Sequence, residues 1–308
     1  MNYTIHQLRV FQSICKNKSI TKASEELYLT QPAVSIQLKK LQDQFDIPLT
    51  EVIGRQLYIT DFGMEIHRVS ARILQEAESL KTTVDQYKGL LSGKISISVV
   101  STGKYVMPYF LKQFSEAHPQ VELRIDVTNK NAVVESLTKN ETDFSLVSVL
   151  PENPPVEAVE LMENELFLVS NSDRTISKKT FKPQDISELP IIFREKGSAT
   201  RMVMKQFFSD HNINPEKSME LMSNEAVKQA VNAGLGVSIM PLIGLRNELK
   251  YGSLKIIPVK GLPIVTRWNL IYTKGKRLTP AASELLNFIS SHKDEIVKDH
   301  FSWVEEVK

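Results

Sequence analysis

A single apolar stripe between Asp61 and Leu91 constrains this chain more than any other feature. The stripe consists of apolar side chains spaced three and four residues apart: Ile66, Val69, Ile73, Ala77, Leu80, Val84, Tyr87 and Leu91. This spacing predicts one long helix, which Thr60 caps at its start and Ser92 with Gly93 ends. A helix of that length is too long to bury its stripe on a small domain, so it predicts pairing with a second copy of the chain. A helix that packs on its own chain is the alternative interpretation.

The long helix, assigned to residues 61–92, separates residues 1–60 from residues 93–308. Short helical patterns fill the first region, whereas strands and helices alternate in the last. The predicted strands are 95–100, 121–127, 144–149, 166–170, 191–193, 237–240 and 268–272, and the predicted helices are 105–117, 133–139, 200–211, 225–233 and 280–292. This alternation predicts parallel sheets with crossover helices, in an α/β multidomain chain. The second cycle begins near Glu165. We therefore expect lobe I at 93–163 and 267–308, lobe II at 164–266, and a cleft between them.

Composition excludes several classes of protein. The one cysteine, Cys15, cannot pair within the chain, and the six histidines show no metal-ligand spacing. No Gly-x-Ser-x-Gly nucleophile motif occurs, so an enzyme is not expected. The net charge is +2 without a basic block, no apolar run reaches membrane-spanning length, and the N-terminus lacks a signal-peptide pattern. These features predict a cytoplasmic protein without membrane contact.

The segment from Ser19 to Phe45 predicts two short helices joined by a compact turn. Small Ala23 and Ser24 let the helices approach closely, and Thr30 caps the second helix, whose first turn accepts Pro32. Four apolar residues spaced four, three and four apart form its buried face: Val34, Leu38, Leu41 and Phe45. This is the geometry of a helix-turn-helix, which presents the start of its second helix to the major groove of DNA.

The opposite face of that second helix carries the side chains that we expect to contact DNA. Gln31 is suited to an adenine edge, Ser35 to a base or phosphate, and Ile36 to a thymine methyl group. Lys39 is suited to phosphate, and Arg55, at the tip of a hairpin wing predicted over residues 47–59, to an adjacent minor groove. The predicted DNA-binding residues are Thr30, Gln31, Pro32, Ser35, Ile36, Lys39 and Arg55. A solvated helix face and an ordinary exposed turn arginine are the alternatives.

This segment resembles the signature of the LysR-type transcriptional regulators. The shared residues run from Ala23 and Ser24 through Thr30, Gln31 and Pro32 to Leu41. The likeness continues through Pro48-Leu49, Leu57-x-x-Thr60-x-x-Gly63 and the rest of the chain. Within the family, the C-terminal part is similar to regulators of RuBisCO operons, on runs at 101–105, 193–201, 223–231 and 261–264.

The resemblance implies a winged helix-turn-helix, a dimerising linker helix and a two-lobed effector domain similar to a periplasmic binding protein. It also implies double-stranded promoter DNA as partner, a homodimer or homotetramer, and RNA polymerase as a further candidate partner. Three positions depart from the family pattern. Thr50 and Val52 stand in a run where the family usually has Leu-Phe-Glu-Arg, and Ile36 stands where many members have arginine.

The predicted cleft has the chemistry of an anion sensor. The first strand of lobe I leads Ser101 and Thr102 to a helix start, and residues 197–201 provide a second helix start in lobe II. Ligands bind beyond the carboxyl ends of such strands, and helix starts favour anions. The predicted effector-binding residues are Ser101, Thr102, Lys104, Asn129, Ser148, Arg194, Ser198, Thr200, Arg201 and Asn224. Helix capping is the alternative role for each loop.

No glycine-rich fingerprint of a permanently bound dinucleotide is present, so no permanent cofactor is expected. The subgroup resemblance implies a phosphorylated or otherwise anionic metabolite as effector, with a nicotinamide nucleotide as one candidate. We expect the anion to favour a closed cleft and so to change how DNA is bound. A solute receptor for transport, which would share the two lobes, is a rival interpretation. The predicted DNA-contacting helix and the absence of a signal-peptide pattern argue against a solute receptor.

Overall fold

The computed structural model describes residues 2–54, 56–87, 91–175 and 180–307. The chain forms two compact units, Met1–Leu90 and Leu91–Lys308. The first unit contains helices α1 (Ile5–Asn17), α2 (Ile20–Glu26), α3 (Gln31–Gln42) and α4 (Asp61–Tyr87), and strands β1 (Thr50–Ile53) and β2 (Gln56–Ile59). The two strands pair antiparallel as a short hairpin after α3.

Side-chain caps explain where the short helices of the first unit begin. The hydroxyls of Thr4, Ser19 and Thr30 accept hydrogen bonds from backbone N–H groups in the first turns of α1, α2 and α3. Each cap satisfies a donor that has no partner within its helix. The helices enclose one apolar core, which contains Leu8, Val10, Phe11, Ile14, Ala23, Val34, Leu38, Leu41 and Leu49.

The long helix α4 packs partly on its own unit. Ile66, Ile73 and Leu74 contact the core, while the Gln12 side chain of α1 donates to the His67 carbonyl and the Ser70 hydroxyl. Other residues of the stripe face solvent in this single chain, since Val69 is 40% and Leu80 69% exposed. The side chains of Val84 and Tyr87 lie outside the described part. Among the described stripe residues of α4, own-chain packing therefore accounts for Ile66 and Ile73 but not for Val69 and Leu80.

The second unit is built on strands that run through two lobes. The strands are β3 (Gly93–Val100), β4 (Val121–Thr128), β5 (Phe144–Val147), β6 (Val156–Asn171), β7 (Ile191–Arg194), β8 (Ser218–Leu221), β9 (Ser238–Pro241), β10 (Leu254–Ile256) and β11 (Ile264–Thr273). Their order is β10-β6-β11-β5-β3-β4, with β9 also paired to β6. The parallel pair β7–β8 joins β9 through a bridge between Ile191 and Val237. The long β6 pairs with β11 over its first part and with β9 and β10 over its second.

Helices cover both lobes and enclose separate cores. They are α5 (Met107–Ala117), α6 (Lys130–Thr138), α7 (Ala199–Asp210), α8 (Asn224–Asn232), α9 (Arg246–Lys250), α10 (Pro280–Phe301) and α11 (Trp303–Glu306). The lobe I core surrounds Trp268, Phe110 and Phe144. In lobe II one cluster contains Met204 and Ile239, and a second, which contains Val231, packs under α8.

Every strand and helix predicted from the sequence of this unit has a counterpart in the structure, but three features differ. The sheet is mixed rather than parallel, because β6 and β11 return antiparallel as they cross between lobes. Strand β6 starts ten residues before the predicted 166–170, at Val156, and α10 continues beyond residue 292 to Phe301. Strands β8 and β10 had no prediction. Among the described residues, no helix combines the length and apolar character needed to cross a membrane.

Candidate functional site

Helix α3 separates an apolar face from a polar one. Its buried side chains are Val34, Leu38 and Leu41, which hold it on the core of the first unit. The residues predicted to contact DNA from this helix and its cap are all exposed: Thr30, Gln31, Pro32, Ser35, Ile36 and Lys39. The structure therefore brings these six residues together on one surface. Arg55, the seventh, lies outside the described residues.

Local contacts position the start of α3. The Thr30 hydroxyl accepts from the Ala33 N–H at 3.4 Å, and the Gln31 side-chain amide donates to the Thr21 hydroxyl of α2. The bond between Gln31 and Thr21 connects α3 to α2. Ile36 keeps 53% of its surface exposed, which leaves its side chain accessible to a partner.

One exposed aromatic residue near this surface was not predicted. Tyr28 lies in the turn between α2 and α3, is 96% exposed and has a φ of 55°. The turn is closed by a hydrogen bond from the Leu29 N–H to the Ser24 carbonyl at 2.9 Å. A tyrosine in a tight left-handed turn is costly for the backbone. The position of Tyr28 in the predicted turn was the sequence signal that could have identified it as exposed.

In the second unit, Arg194 at the end of β7 joins the two lobes. Its Nη2 donates to the Ser101 Oγ of lobe I at 3.0 Å. Nε and Nη2 also bind both carboxylate oxygens of Glu195, at 2.7 and 2.8 Å. Arg194 and Glu195 are each only 4% exposed, so this is a buried ion pair. The bidentate geometry fixes the orientation of the guanidinium group toward lobe I.

A second contact across the cleft joins Tyr105 to α8. The Tyr105 hydroxyl donates to Glu225 Oε2 at 3.0 Å, and Lys228 binds Glu225 at 3.2 Å and Glu248 at 2.8 Å. Burial raises the pKa of Tyr105, so the hydroxyl keeps its proton and remains a donor. For Glu225, burial acts against the charged form, but hydrogen bonds from Gln229, Lys228 and Tyr105 together hold its pKa below the ordinary value.

Asn224 has an unsatisfied polar side chain beside this contact. It is 2% exposed, and neither its amide nitrogen nor its amide oxygen makes a hydrogen bond with the described residues. The amide lies near the Tyr105 hydroxyl without a well-formed hydrogen bond between them. A buried amide without partners is costly, so this side chain is suited to a ligand or water.

Gly197 of lobe II lies close to an asparagine side chain of lobe I. This glycine has a φ of 90°, and a Cβ at its position would lie 2.9 Å from the Asn131 side chain of α6. A larger residue would be strained at this φ, and the Asn131 side chain would have to move aside to accommodate it. Nearby, Asn129 caps α6 by accepting from the Ala132 N–H at 3.0 Å, and Ser198 caps α7 by accepting from the Arg201 N–H at 3.5 Å.

The predicted effector residues fall into two groups. Ser101 and Arg194 are in direct contact, and Thr102, Ser148, Ser198, Thr200 and Asn224 are buried at the strand ends and helix starts of the cleft. The Arg201 guanidinium instead donates to the Arg194 carbonyl at 2.5 Å and pairs with Glu220, both within lobe II. Lys104 is exposed and lines a different cavity. The contacts of Arg201 and the position of Lys104 therefore do not support direct contact of either residue with a ligand in the cleft.

Four residues with a role in the cleft were not among the predicted ones: Tyr105, Glu195, Glu225 and Lys228. All four stand within the sequence runs 101–105, 193–201 and 223–231 that carry the subgroup resemblance. An anion site predicts cationic contacts, so its chemistry gives no signal for Glu195 and Glu225. In the described part of the chain, no group of three or more His, Cys, Asp or Glu side chains has the arrangement of a metal site.

Comparison with protein-family models identifies both units. Residues 5–64 match the model of the bacterial regulatory helix-turn-helix protein, lysR family, and residues 88–294 match the LysR substrate binding domain. The chain therefore belongs to the LysR family. It is a DNA-binding transcriptional regulator with an effector-binding domain, not an enzyme. The predicted family, fold class and regulatory function are confirmed.

Individual relatives indicate the subgroup of the LysR family that this chain resembles in sequence. A RuBisCO operon transcriptional regulator of Allochromatium vinosum is 36% identical over 292 residues, which cover 94% of this chain and 97% of the relative. The HTH-type transcriptional activator CmpR of Synechocystis sp. is 34% identical over 296 residues, 96% of this chain and 97% of the relative. The predicted similarity to RuBisCO operon regulators is confirmed.

Solved structures agree with the fold. The regulatory domain of Synechocystis CcmR, in complex with 2-PG, is 28% identical with a TM-score of 0.63, over 66% of this chain and 98% of that chain. Full-length CbnR, complexed with its target DNA, is 20% identical with a TM-score of 0.66, over 94% of this chain and 99% of that chain. At that identity, the second likeness supports the fold alone.

Proposed function

We propose that the cleft of lobes I and II binds a small phosphorylated anion, 2-phosphoglycolate or a close chemical relative, and that this anion controls DNA binding. The observation that carries the proposal is the buried Arg194, whose guanidinium group faces Ser101 across the cleft. Burial of an ion pair carries a desolvation cost that the pairing offsets only in part, so this pair is better explained by ligand binding than by stability. The complex of CcmR with 2-PG supports this class of effector.

The charge balance of Arg194 suggests how the anion binds. Glu195 occupies Nε and one side of Nη2, whereas Nη1 makes no hydrogen bond with the described residues. A phosphate or carboxylate oxygen at Nη1 would form a charge-assisted hydrogen bond in a largely desolvated site. Because Glu195 already neutralises one positive charge, such a site favours moderate affinity and reversible sensing rather than tight retention.

Hydroxyls and amides complete the proposed site. We assign direct contacts to Ser101, Thr102 and Arg194, with the unpartnered Asn224 amide as the group that recognises a second polar end of the ligand. Further residues of the proposed site are Asn129, Ser148, Ser198 and Thr200, which stand at strand ends and helix starts. The backbone N–H groups at those helix starts favour an anion.

The proposed switch is a change in lobe arrangement. Ser101–Arg194 and Tyr105–Glu225 join lobe I to lobe II in this structure, and an anion that contacts both lobes stabilises the joined state. A ligand moves such an equilibrium only through its different affinity for the two states. We propose that closure changes how lobes pack between subunits of a homodimer or homotetramer, and so the angle between paired DNA-binding units.

The DNA-binding part of the proposal assigns base and phosphate contacts to the exposed face of α3. The residues are Thr30, Gln31, Pro32, Ser35, Ile36 and Lys39, with Arg55 of the wing in the minor groove. We keep the division into residues 1–60, 61–92 and 93–308, and the lobe boundaries near residues 163 and 266. The proposed partners are a promoter in the cytoplasm and the RNA polymerase that transcribes from it.

Calorimetric titration with 2-phosphoglycolate tests the proposed site. We expect binding to the full chain, and affinity about tenfold or more weaker for Ser101→Ala or Thr102→Val, since each loses a bond to a charged group. Ser218→Ala, which alters an exposed serine of lobe II, is the matched control and should bind as the native chain does. Unchanged affinity in both cleft variants would refute the site assignment.

A further inference from the structure

A second cavity of the effector-binding unit concentrates positive charge. It measures about 490 Å³ and lies between residues 104–109 of lobe I, residues 243–250 of lobe II, and residues 300–303 at the end of α10 and the start of α11. That volume lies within the range of small-molecule sites. None of the cleft residues Ser101, Arg194 and Asn224 lines it, so it is distinct from the proposed effector site.

The charged groups of this cavity have one sign. Its charged residues are Lys104, Arg246 and Lys250, His300 also lines it, and no carboxylate does so among the described residues. None of these four side chains forms an ion pair with a described residue. Lys228 in the cleft differs, since it is bound by two carboxylates. In a chain with almost equal numbers of acidic and basic residues, this concentration produces a local positive potential.

Aromatic rings hold Lys104 and Arg246 in place without neutralising them. The Arg246 guanidinium lies 5.3 Å from the Trp303 ring centre, and Lys104 Nζ lies 5.0 Å from that of Tyr105. The rings of Tyr109 and His300 are 4.9 Å apart. A cation on an aromatic face keeps its full charge and its hydrogen-bond donors. The lining therefore has both ordered positive groups and unused donors.

We propose that this cavity is a second ligand site, specific for a compact, multiply charged phosphate anion. Three permanent cations from two lobes match an anion with at least two charges better than a single carboxylate. The short α9 contributes Arg246 and Lys250, and the segment before α5 contributes Lys104. This inference goes beyond the proposed effector cleft and does not depend on the identity of its ligand.

Occupation of this site is coupled to the cleft through Tyr105. The Tyr105 ring lines the cavity, and its hydroxyl binds Glu225 across the cleft. An anion that binds lobe I and lobe II together favours the arrangement in which both sets of cations face it. The two ligands should therefore change each other's affinity by the same factor.

Trp303 provides a local signal for the test. The chain has two tryptophans; Trp303 lines the cavity, and Trp268 is fully buried in the lobe I core. Inorganic pyrophosphate is the probe, added to the full chain while Trp303 fluorescence and binding heat are recorded. We expect saturable binding that Arg246→Gln with Lys250→Gln weakens by about tenfold or more. Lys260→Gln with Lys274→Gln, which removes two exposed lysines elsewhere, is the charge-matched control and should leave binding unchanged.

The outcomes separate the two sites. If the proposal is correct, Ser101→Ala keeps the pyrophosphate signal at Trp303, and the Arg246→Gln, Lys250→Gln variant keeps 2-phosphoglycolate binding in the cleft. Equal affinity in that variant and its lysine control would overturn the proposal. So would a lack of saturable binding by both measurements, or loss of the signal in Ser101→Ala, which would mean that pyrophosphate binds only in the cleft.

Discussion

The face of α3 and the cleft of the effector-binding unit assemble functional residues in opposite ways. On α3, the exposed residues lie within ten positions of one another, on one capped helix. In the cleft, Ser101 contacts a residue 93 positions away, and Tyr105 contacts one 120 positions away. The first surface is therefore determined by local structure. The second exists only when two separately packed lobes meet, which makes it suited to report a ligand.

The two regions also differ in how they use charge. Lys39 on α3 is exposed, where solvent and salt screen it, whereas Arg194 in the cleft is buried with its carboxylate. Exposed charge gives affinity for a polyanion such as DNA that salt weakens steeply. Buried charge gives an interaction that is strong only in one arrangement of its surroundings. The contrast predicts different responses to substitution in the two regions.

The largest effect is expected for Glu195→Gln. This change leaves Arg194 buried without its counter-charge, and we expect it to lower the free energy of unfolding of the second unit by about 3–5 kcal/mol. Glu220→Gln is the matched control, because Glu220 also pairs with an arginine but its side chain is 44% exposed. There we expect a much smaller loss, because solvent screens the exposed pair. Denaturant unfolding followed by Trp268 fluorescence measures both.

The first unit supplies an internal reference for that experiment. Burial raises the pKa of the Cys15 thiol to about 12, so the folded unit protects it from alkylation at neutral pH. Alkylation of Cys15 should be equally slow in native protein and Glu195→Gln at low denaturant. A loss of stability as small for Glu195→Gln as for Glu220→Gln would contradict the assignment of a buried pair in the cleft.

A smaller effect is expected from substitutions on the face of α3. Gln31→Ala or Ser35→Ala should reduce the preference for the operator over unrelated duplex by about 1–3 kcal/mol each, with no change in binding of 2-phosphoglycolate. Lys39→Gln should instead weaken binding to all sequences and reduce the salt dependence by about one counterion. Fluorescence anisotropy with both duplexes at several salt concentrations distinguishes these results. Equal weakening on both duplexes for Gln31→Ala would assign Gln31 to the phosphate backbone.

The smallest effect concerns the pH dependence of the first unit. Glu26 of α2 accepts hydrogen bonds from Lys16, Ser13 and Asn17 of α1, and these bonds, led by that of Lys16, lower its pKa from 4.5 to about 2. Because the folded-state pKa is lowered, the contribution is complete above pH 4.5 and is lost as the pH falls toward 2. The group is largely exposed, so Glu26→Gln should cost less than about 1 kcal/mol at pH 7.

Denaturant unfolding of the first unit, followed by Cys15 alkylation at pH 7 and by circular dichroism at pH 7, 4 and 2.5, checks this dependence. The difference between the native chain and Glu26→Gln should shrink as the pH decreases. A difference that stays constant over this range would show that the carboxylate does not act through its charge.

Sequence patterns predicted the α3 surface in detail because its determinants are local. The cap at Thr30, the proline in the first turn and the spacing of Val34, Leu38 and Leu41 specify the helix and its orientation. The exposure of Tyr28 was missed because its environment depends on the turn, which holds the backbone in a left-handed conformation. Most of the strand and helix order of the second unit was also predicted from the alternation of patterns, although β8 and β10 were missed.

The pairing of groups in the cleft could not be predicted in the same way. The segments around Ser101, Arg194 and Asn224 were identified, but the sequence does not reveal that Glu195 neutralises its neighbour Arg194. Nor does it reveal that Arg201 turns to Glu220 or that Lys104 faces a second cavity. These outcomes depend on rotamers and on lobe packing, which periodicity does not encode.

The central claim is that the effector-binding unit controls how the helix-turn-helix unit engages DNA. Footprinting of the chain on its own upstream region, with DNA bending measured on the same fragment, tests it most directly when done with and without saturating 2-phosphoglycolate. The account predicts that the protected region or the bend angle changes with the anion in the native chain, and that Ser101→Ala abolishes the change. An identical footprint and an identical bend across the full titration would contradict it.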